Sequence, residues 1–182
     1  FITSTLQQEA SRKLRLNSRD VMRVAQRLYE NGYITYMRTD STSLSETALT
    51  AARQQARDMY GAEYVPDAPR RYGKVQGAQE AHEAIRPAGD RFRTPAQVAG
   101  ELRGNEFALY DLIWKRTVAS QMADARGSTA TIKVGATLDP DAPAREVELS
   151  ASGTVITFRG FLAAYEEGRD EQQAARKKDV AA

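Results

Sequence analysis

A change of pattern at Arg126-Gly127 restricts the fold of this 182-residue chain more than any other feature. Before it, apolar residues recur every three or four positions, as they do on amphipathic helices. After it, apolar and polar residues alternate, as on a strand with one buried face. We therefore predict an α+β fold. A mainly helical domain is expected over residues 1–124, and a small antiparallel β segment with a frayed C-terminal tail over residues 125–182.

Helix-capping patterns locate most of the predicted helices. The capping residues are Ser4, Asn17, Ser43 and Thr94. They predict helices over 4–14, 19–31, 43–60 and 95–102, and a strongly apolar helix is predicted over 106–122. For Trp114 on that last helix, a place in the core is favoured over stacking on a nucleic-acid base. In the β segment we expect strands over 130–138, 145–151 and 154–158, with Ser152-Gly153 as a tight hairpin turn.

The composition excludes several classes of protein. Without cysteine, the chain has no disulfide framework and no thiolate metal site, which fits a reducing cytoplasm. No apolar run approaches the roughly 20 residues needed to cross a bilayer, so we expect a soluble protein that does not enter the membrane. The formal charge of +2, from 26 basic and 24 acidic residues, is compatible with phosphate contact but does not establish it.

The stretch from Gly32 to Ser43 is difficult to explain as ordinary packing. A short β-prone run leads into a dense polar cluster, and strand alternation would place Tyr36 and Arg38 on one face together with Ile34. A guanidinium beside a phenol favours the phenolate and can hold a phosphate, so Tyr36 could be a nucleophile toward a phosphodiester. The alternative is a half-buried packing tyrosine beside a solvated arginine.

Two motifs in this chain resemble those of a known enzyme family. Ile34–Thr42, with the sequence ITYMRTDST, is similar to the active-site motif of type IA DNA topoisomerases, in particular the bacterial topoisomerase I group. Glu80–Pro87, with the sequence EAHEAIRP, resembles a second motif of the same family. Met37 between the tyrosine and the arginine is typical of topoisomerase I, since topoisomerase III enzymes tend to carry proline there. The resemblance extends from residue 1 to about Met122.

The resemblance implies a reaction and a set of catalytic residues. Tyr36 would attack one strand of DNA to give a 5′-phosphotyrosyl enzyme, another strand would pass, and the break would be resealed without ATP. The overall effect would be relaxation of negatively supercoiled DNA by an isomerase. Arg38, His82 and Arg86 match catalytic positions of the family. A lone histidine such as His82 is by itself more often an ordinary residue than a catalyst. The resemblance implies a place near the reacting phosphate, and we favour electrostatic and positioning roles for it over general acid catalysis. Arg86 would neutralise charge on the transition state.

The same resemblance implies that the loop after Tyr36 contacts single-stranded DNA. The residues concerned are Arg38, Thr39, Asp40 and Ser41. A stripe of arginines on the predicted helix 19–31, including Arg23 and Arg27, is either solvated surface or a second contact with the DNA backbone. Underwound duplex DNA would supply the single strand, because a paired strand must first be opened.

The family uses Mg²⁺ held by a separate N-terminal TOPRIM domain, which this sequence does not resemble. Asp40, Glu80 and Glu83 do not form an evident metal site, and Glu83 is interpreted as structural. Since the sequence starts with Phe1 inside a family motif, we expect an excised fragment. Because nothing in it resembles the TOPRIM domain, we expect this fragment to be inactive alone. The resemblance further implies that residues 125–182 belong to a β-rich arch, with hinges near Phe1 and at Ala123–Gly127.

We expect the parent protein to be a bacterial, cytoplasmic, nucleoid-associated monomer whose partners are single-stranded and negatively supercoiled DNA. Two other interpretations stay open. The chain could be a non-catalytic single-stranded DNA-binding module in which Tyr36 only stacks on a base, or a helical interaction domain without a nucleic-acid role.

Overall fold

The computed structural model describes residues 1–72, 83–137 and 146–166. These residues form helices and one two-stranded antiparallel sheet, so the predicted α+β class is confirmed. The chain divides into two compact units. One contains residues 1–123 and the described residues from Phe161 onward, and the other is Asp124–Gly160. No helix in the described part of the chain is both long and apolar enough to cross a membrane.

The first unit is built from helices around one apolar core. The α-helices are α1 (Thr3–Leu14), α2 (Ser18–Glu30), α3 (Glu46–Tyr60), α4 (Pro95–Val98) and α5 (Gly104–Ala119), and 3-10 turns cover Ala62–Tyr64 and Gly160–Ala163. Trp114 is only 1% exposed, and its indole N–H donates to Gln55 Oε1 at 2.6 Å. The prediction of a core tryptophan is therefore confirmed.

Local capping patterns predicted two of the helix starts correctly. Asn17 Oδ1 accepts a hydrogen bond from Asp20 N at 2.9 Å, and Thr94 and Gln97 form a reciprocal capping box. The predicted start at Ser43 is wrong, since Ser45 caps α3 by accepting from Ala48 N at 3.3 Å. Ser43 cannot serve this role because its backbone lies extended beside a distant segment and accepts from Ala84 N at 2.9 Å.

The second unit is one long hairpin. Strand β1 (Arg126–Thr137) pairs antiparallel with β2 (Glu146–Phe158), and its two faces differ in polarity. Ile132 lies opposite Ala151 and Val134 opposite Leu149, as the predicted alternation requires. The other face carries hydroxyl pairs and the ion pair of Lys133 with Glu148 at 2.9 Å.

The predicted turn at Ser152-Gly153 is wrong. Gly153 lies within β2, opposite Ala130, and Ser152 Oγ lies 2.8 Å from Thr131 Oγ1. The two short strands that were expected on either side are one continuous strand. The physical reason is that all twelve residues of β1 find partners along it, so pairing outweighs the local turn preference of a Ser-Gly dipeptide.

Residues 161–166 belong to the same compact unit as the helices. Phe161 N donates to Ala123 O at 2.8 Å. Tyr165 is 5% exposed, and its hydroxyl donates to the buried carboxylate of Glu9 at 2.5 Å. Burial and this hydrogen bond raise the pKa of Tyr165. An apolar ring with one polar partner thus holds this segment against α1.

Candidate active site

Tyr36 lies on an irregular loop and not on the predicted strand. Only one bridge forms, between Ile34 and Pro87. Ile34 and Met37 are 2% and 1% exposed, whereas Tyr36 is 40% exposed and Arg38 is also at the surface. The predicted face that joined Ile34 to Tyr36 is therefore wrong, because the chain leaves the bridge after Thr35 and buries residues three positions apart. The side chains of Tyr36 and Arg38, the two candidate catalytic residues of this loop, are nevertheless exposed at the surface.

The two sequence motifs meet in space. Thr35 N donates to Arg86 O at 2.9 Å, and Ala88 N donates to Tyr33 O at 2.9 Å. The Thr35 hydroxyl also donates to Ala84 O at 2.8 Å and accepts from Arg86 N at 3.0 Å. A short antiparallel contact thus supports the backbone immediately before Tyr36 with a segment about 50 residues away in sequence.

The start of α1 supports the loop immediately after Tyr36. The Thr3 hydroxyl lies 2.9 Å from Met37 O and 3.0 Å from Thr39 O, and it accepts from Thr39 N at 2.9 Å. Thr3 N also donates to Thr39 O at 2.9 Å. One threonine therefore satisfies the polar backbone on both sides of Arg38, leaving the guanidinium free to point outward.

Side chains of the polar cluster point in two directions. Arg38 and Asp40 are exposed, and within residues 1–72, 83–137 and 146–166 the Arg38 guanidinium has no hydrogen bond or ion pair. Thr39 and Ser41 are 8% and 6% exposed, and Thr39 Oγ1 accepts from Ser41 N at 3.0 Å. The buried pair maintains the shape of the loop, while the exposed pair is available to a ligand.

Tyr29 is a neighbour of Tyr36 that sequence reasoning did not assign to the site. It stands in the last turn of α2, and its ring lies edge-on to Tyr36 with 5.3 Å between ring centroids. Its position at the end of the predicted helix, just before the loop that carries Tyr36, could have indicated this place in the site. The arrangement limits the orientations open to the Tyr36 ring.

Arg86 is buried and committed to internal partners. Its side chain is 9% exposed, with Nε and Nη2 donating to Glu83 Oε2 at 3.1 and 2.6 Å. Nη1 donates to the carbonyl oxygens of Pro87 and Gly89 at 2.9 and 3.0 Å. Arg86 therefore fastens the loop of the second motif, and its contact with a phosphate stays a prediction.

Glu83 connects this arginine to the start of α3. Its Oε1 accepts from Ser45 N at 2.6 Å while Oε2 binds Arg86. Partial burial by itself raises the pKa of Glu83, but the hydrogen bonds from Ser45 and Arg86 outweigh it and lower the pKa below its usual value. The interpretation of Glu83 as structural agrees with these contacts. His82 and Glu80 lie outside the described residues.

Two of the arginines predicted to contact DNA have acidic partners on the protein. Arg23 pairs with Asp20 at 2.9 Å, and Arg27 pairs with Glu106 at 2.8 Å. Their side chains are 67% and 49% exposed, so these pairs are weak and leave surface available. Their contact with DNA stays a prediction.

The described residues do not fit a magnesium site. Among them, no group of three histidine, aspartate or glutamate side chains is placed to hold a metal ion. Mg²⁺ takes oxygen ligands from carboxylates and substrate phosphates, and the described residues do not bring such a carboxylate cluster together.

Comparisons with known proteins agree on one family. A family model described as DNA topoisomerase matches residues 1–181. DNA topoisomerase 1 of Streptomyces coelicolor is 62% identical over 175 residues, covering 96% of this chain and 18% of that protein. DNA topoisomerase 1 of Mycobacterium tuberculosis is 61% identical over 184 residues, covering 99% of this chain and 19% of that protein. The chain thus spans less than a fifth of the length of these curated relatives.

A solved structure gives the same result. Full-length topoisomerase I from Thermotoga maritima matches with a TM-score of 0.70 and 34% identity, covering 93% of this chain and 29% of that one. The fold, the two motifs and the sequence matches over nearly the whole length lead to one conclusion: the chain belongs to the bacterial type IA DNA topoisomerase I family.

Proposed function

We propose that this chain carries the nucleophile of a type IA topoisomerase and that Tyr36 is that nucleophile. The observation that supports it is the exposure of the Tyr36 phenol close in sequence to the exposed guanidinium of Arg38. Among the described residues, the Arg38 guanidinium has no hydrogen bond or ion pair. Buried Met37 and Thr39, whose backbone groups bind Thr3, hold the loop in place. Preorganised geometry of this kind contributes to catalysis by positioning the reacting groups.

The proposed step is a transesterification. Tyr36 Oη attacks a phosphodiester phosphorus, the phenolic proton leaves, and the bond from phosphorus to O3′ breaks as O3′ takes up a proton. The product is a 5′-phosphotyrosyl bond and a free 3′-hydroxyl, and the reverse attack reseals the strand. Arg38 holds a non-bridging phosphate oxygen and stabilises charge in the transition state. The exchange conserves the energy of the bond, so no nucleotide cofactor is required.

The wider proposals rest on the resemblance to the family. His82 acts near the reacting phosphate by electrostatics or positioning, and Arg86 neutralises charge on the transition state. The substrate is a single strand, supplied in the cell by negatively supercoiled duplex DNA. Mg²⁺ is held by a TOPRIM domain of the parent protein, which acts as a monomer in the bacterial cytoplasm. Alone, this chain is expected to be inactive.

The experiment is a covalent-trapping assay with the parent enzyme. An end-labelled single-stranded oligonucleotide is incubated with magnesium and either the original protein or Tyr36→Phe, and the products are separated on denaturing gels. The original should form an SDS-resistant adduct that the variant lacks. Tyr60→Phe, which removes a phenol elsewhere on the same unit, should keep the adduct.

Two outcomes would contradict the proposal. An adduct that persists in Tyr36→Phe would assign the bond to another residue. Binding of DNA without any adduct in either protein would favour the non-catalytic module, since a phenylalanine ring can still stack on a base.

A further inference from the structure

A groove of about 170 Å³ lies beside the active-site loop, where residues 42–44 face residues 70–72. Its lining includes the hydroxyl-bearing Thr42 and Ser43, the guanidinium group of Arg71 and the ring of Tyr72. Leu44 and Leu49 supply an apolar wall. Cationic, aromatic and hydroxyl groups around one small groove are what a nucleotide of a single strand requires.

Tyr72 is presented as a rigid surface ring. It is 50% exposed, and its hydroxyl donates to Ser120 O at 2.8 Å, which fixes one end of the side chain. The backbone of Arg70, two residues before Tyr72, is held as well. The fully buried Gln121 side chain accepts from Arg70 N at 3.1 Å and donates to Arg70 O at 3.0 Å. An aromatic ring so held loses little conformational entropy when a base stacks on it.

The loop that carries Arg71 and Tyr72 is also anchored from beneath. Arg53, a buried residue of α3, donates to the carbonyl oxygens of Pro66, Asp67 and Ala68 at 2.7, 3.0 and 3.1 Å. A buried guanidinium needs hydrogen-bond partners, and here three loop carbonyl groups supply them. The fold therefore specifies the conformation of this loop. The groove is therefore built before any ligand arrives.

Arg71 has an exchangeable partner. Its Nη2 lies 2.6 Å from Glu46 Oε1, but the two side chains are 62% and 73% exposed, so the pair is weak in water. A DNA phosphate can displace the carboxylate at small cost.

We propose that this groove binds one nucleotide of the DNA strand that passes the active site, with its base stacked on Tyr72 and an adjacent phosphate held by Arg71. The position of the groove supports this, because Thr42 and Ser43, which line it, directly follow the loop of residues 36–41. The inference rests on the proposed function, which supplies the strand.

The test measures affinity for a fluorescent single-stranded oligonucleotide, using the parent enzyme with Tyr36→Phe so that no covalent product forms. Adding Tyr72→Ala should weaken binding about 10-fold, because the base loses the aromatic ring on which it stacks. Tyr72→Phe should retain most of the affinity. Arg71→Gln should weaken binding and lower the slope of log affinity against log salt by about 0.7, the contribution of one phosphate contact to a single strand.

Glu46→Gln should raise the affinity for the oligonucleotide, whereas a variant that only destabilised the fold would lower it. It removes the competitor of the phosphate, so binding should tighten about 2-fold. The matched control is Arg103→Gln, an exposed arginine that does not line the groove, for which the affinity should stay within 2-fold of the parent value. Circular dichroism at the assay temperature confirms that each variant is folded.

The outcomes separate the two proposals. Unchanged affinity in Tyr72→Ala and Arg71→Gln would overturn the groove inference while leaving the Tyr36 adduct intact. Loss of affinity that is equal in Arg71→Gln and Arg103→Gln would also overturn it, because general charge would then explain the effect. The covalent-trapping assay tests the role of Tyr36 separately, and its result does not depend on whether Arg71 and Tyr72 bind DNA.

Discussion

The ring of Tyr29 lies edge-on to the ring of Tyr36, with 5.3 Å between the centroids and 69° between the ring planes. Both rings are 40% exposed, so the pair sits at the surface and not in the core. Since Tyr29 belongs to the last turn of α2, a regular helix determines where the loop tyrosine can point. An edge-on aromatic pair contributes about 0.5–1.5 kcal/mol beyond the area it buries.

Removing the Tyr29 ring should slow cleavage more than it weakens DNA binding. In the parent enzyme, Tyr29→Ala should lower the single-turnover rate of adduct formation about 3- to 10-fold, because Tyr36 then samples unproductive orientations. Tyr29→Phe keeps the ring and should restore most of the rate. If the alanine variant lost affinity for the oligonucleotide but kept the rate of the bound complex, Tyr29 would be a binding residue and not a positioning one.

Thr3→Val should destabilise the unit that carries Tyr36. The substitution keeps the shape of the side chain but removes the hydroxyl that serves the backbone at Met37 and Thr39, which costs about 1–3 kcal/mol when a polar group is left without a partner. Thermal unfolding of this chain followed by circular dichroism would measure it. Ser4→Ala alters the adjacent, exposed residue and should leave the melting temperature nearly unchanged.

The Glu83 contacts predict a pH dependence of stability. Because the folded-state pKa of Glu83 is lowered from 4.5, its contribution is fully present above the unfolded-state pKa and is lost as the pH falls through the folded-state value. The stability difference between the original and Glu83→Gln should therefore be constant from about pH 6 to 7 and shrink below about pH 4.5. Denaturant titrations at several pH values would show it.

Glu63→Gln is the matched control for that experiment. Glu63 is exposed on the 3-10 turn after α3, and the described structure gives its carboxylate no hydrogen bond or ion pair. Its substitution should change stability little at any of these pH values. A difference for Glu83→Gln that grew on acidification would contradict the proposed role of the ionised carboxylate.

Trp114 should report unfolding of the helical unit. As the single tryptophan of the chain, it is buried and its indole N–H binds Gln55, so its emission should shift to the red when the core opens. Trp114→Ala should destabilise the chain by about 3–5 kcal/mol through the cavity it leaves. The measurement is denaturant unfolding followed by tryptophan fluorescence for the original and by circular dichroism for both proteins. A cost below about 1 kcal/mol would show that the core is not formed around this residue.

Features that depend on neighbouring residues were predictable from the sequence. Asn17 and Thr94 cap their helices through contacts three residues away, and the alternation around Ile132 and Val134 separates an apolar from a polar face of β1. The chemistry of Tyr36 and Arg38 was proposed from their types and spacing together with the family resemblance. These patterns are informative because helix caps and strand faces are repeated over short, fixed intervals.

Features that depend on distant segments were decided by the tertiary structure. Burial of Ile34 required Pro87, the shape of the loop at Arg38 required Thr3, and the strand through Gly153 required the facing strand β1. The resemblance implied that Arg86 contacts a phosphate, but in the structure its side chain binds Glu83 and two carbonyl groups. A sequence pattern specifies which groups need partners, but only packing decides which distant groups come close enough to satisfy them.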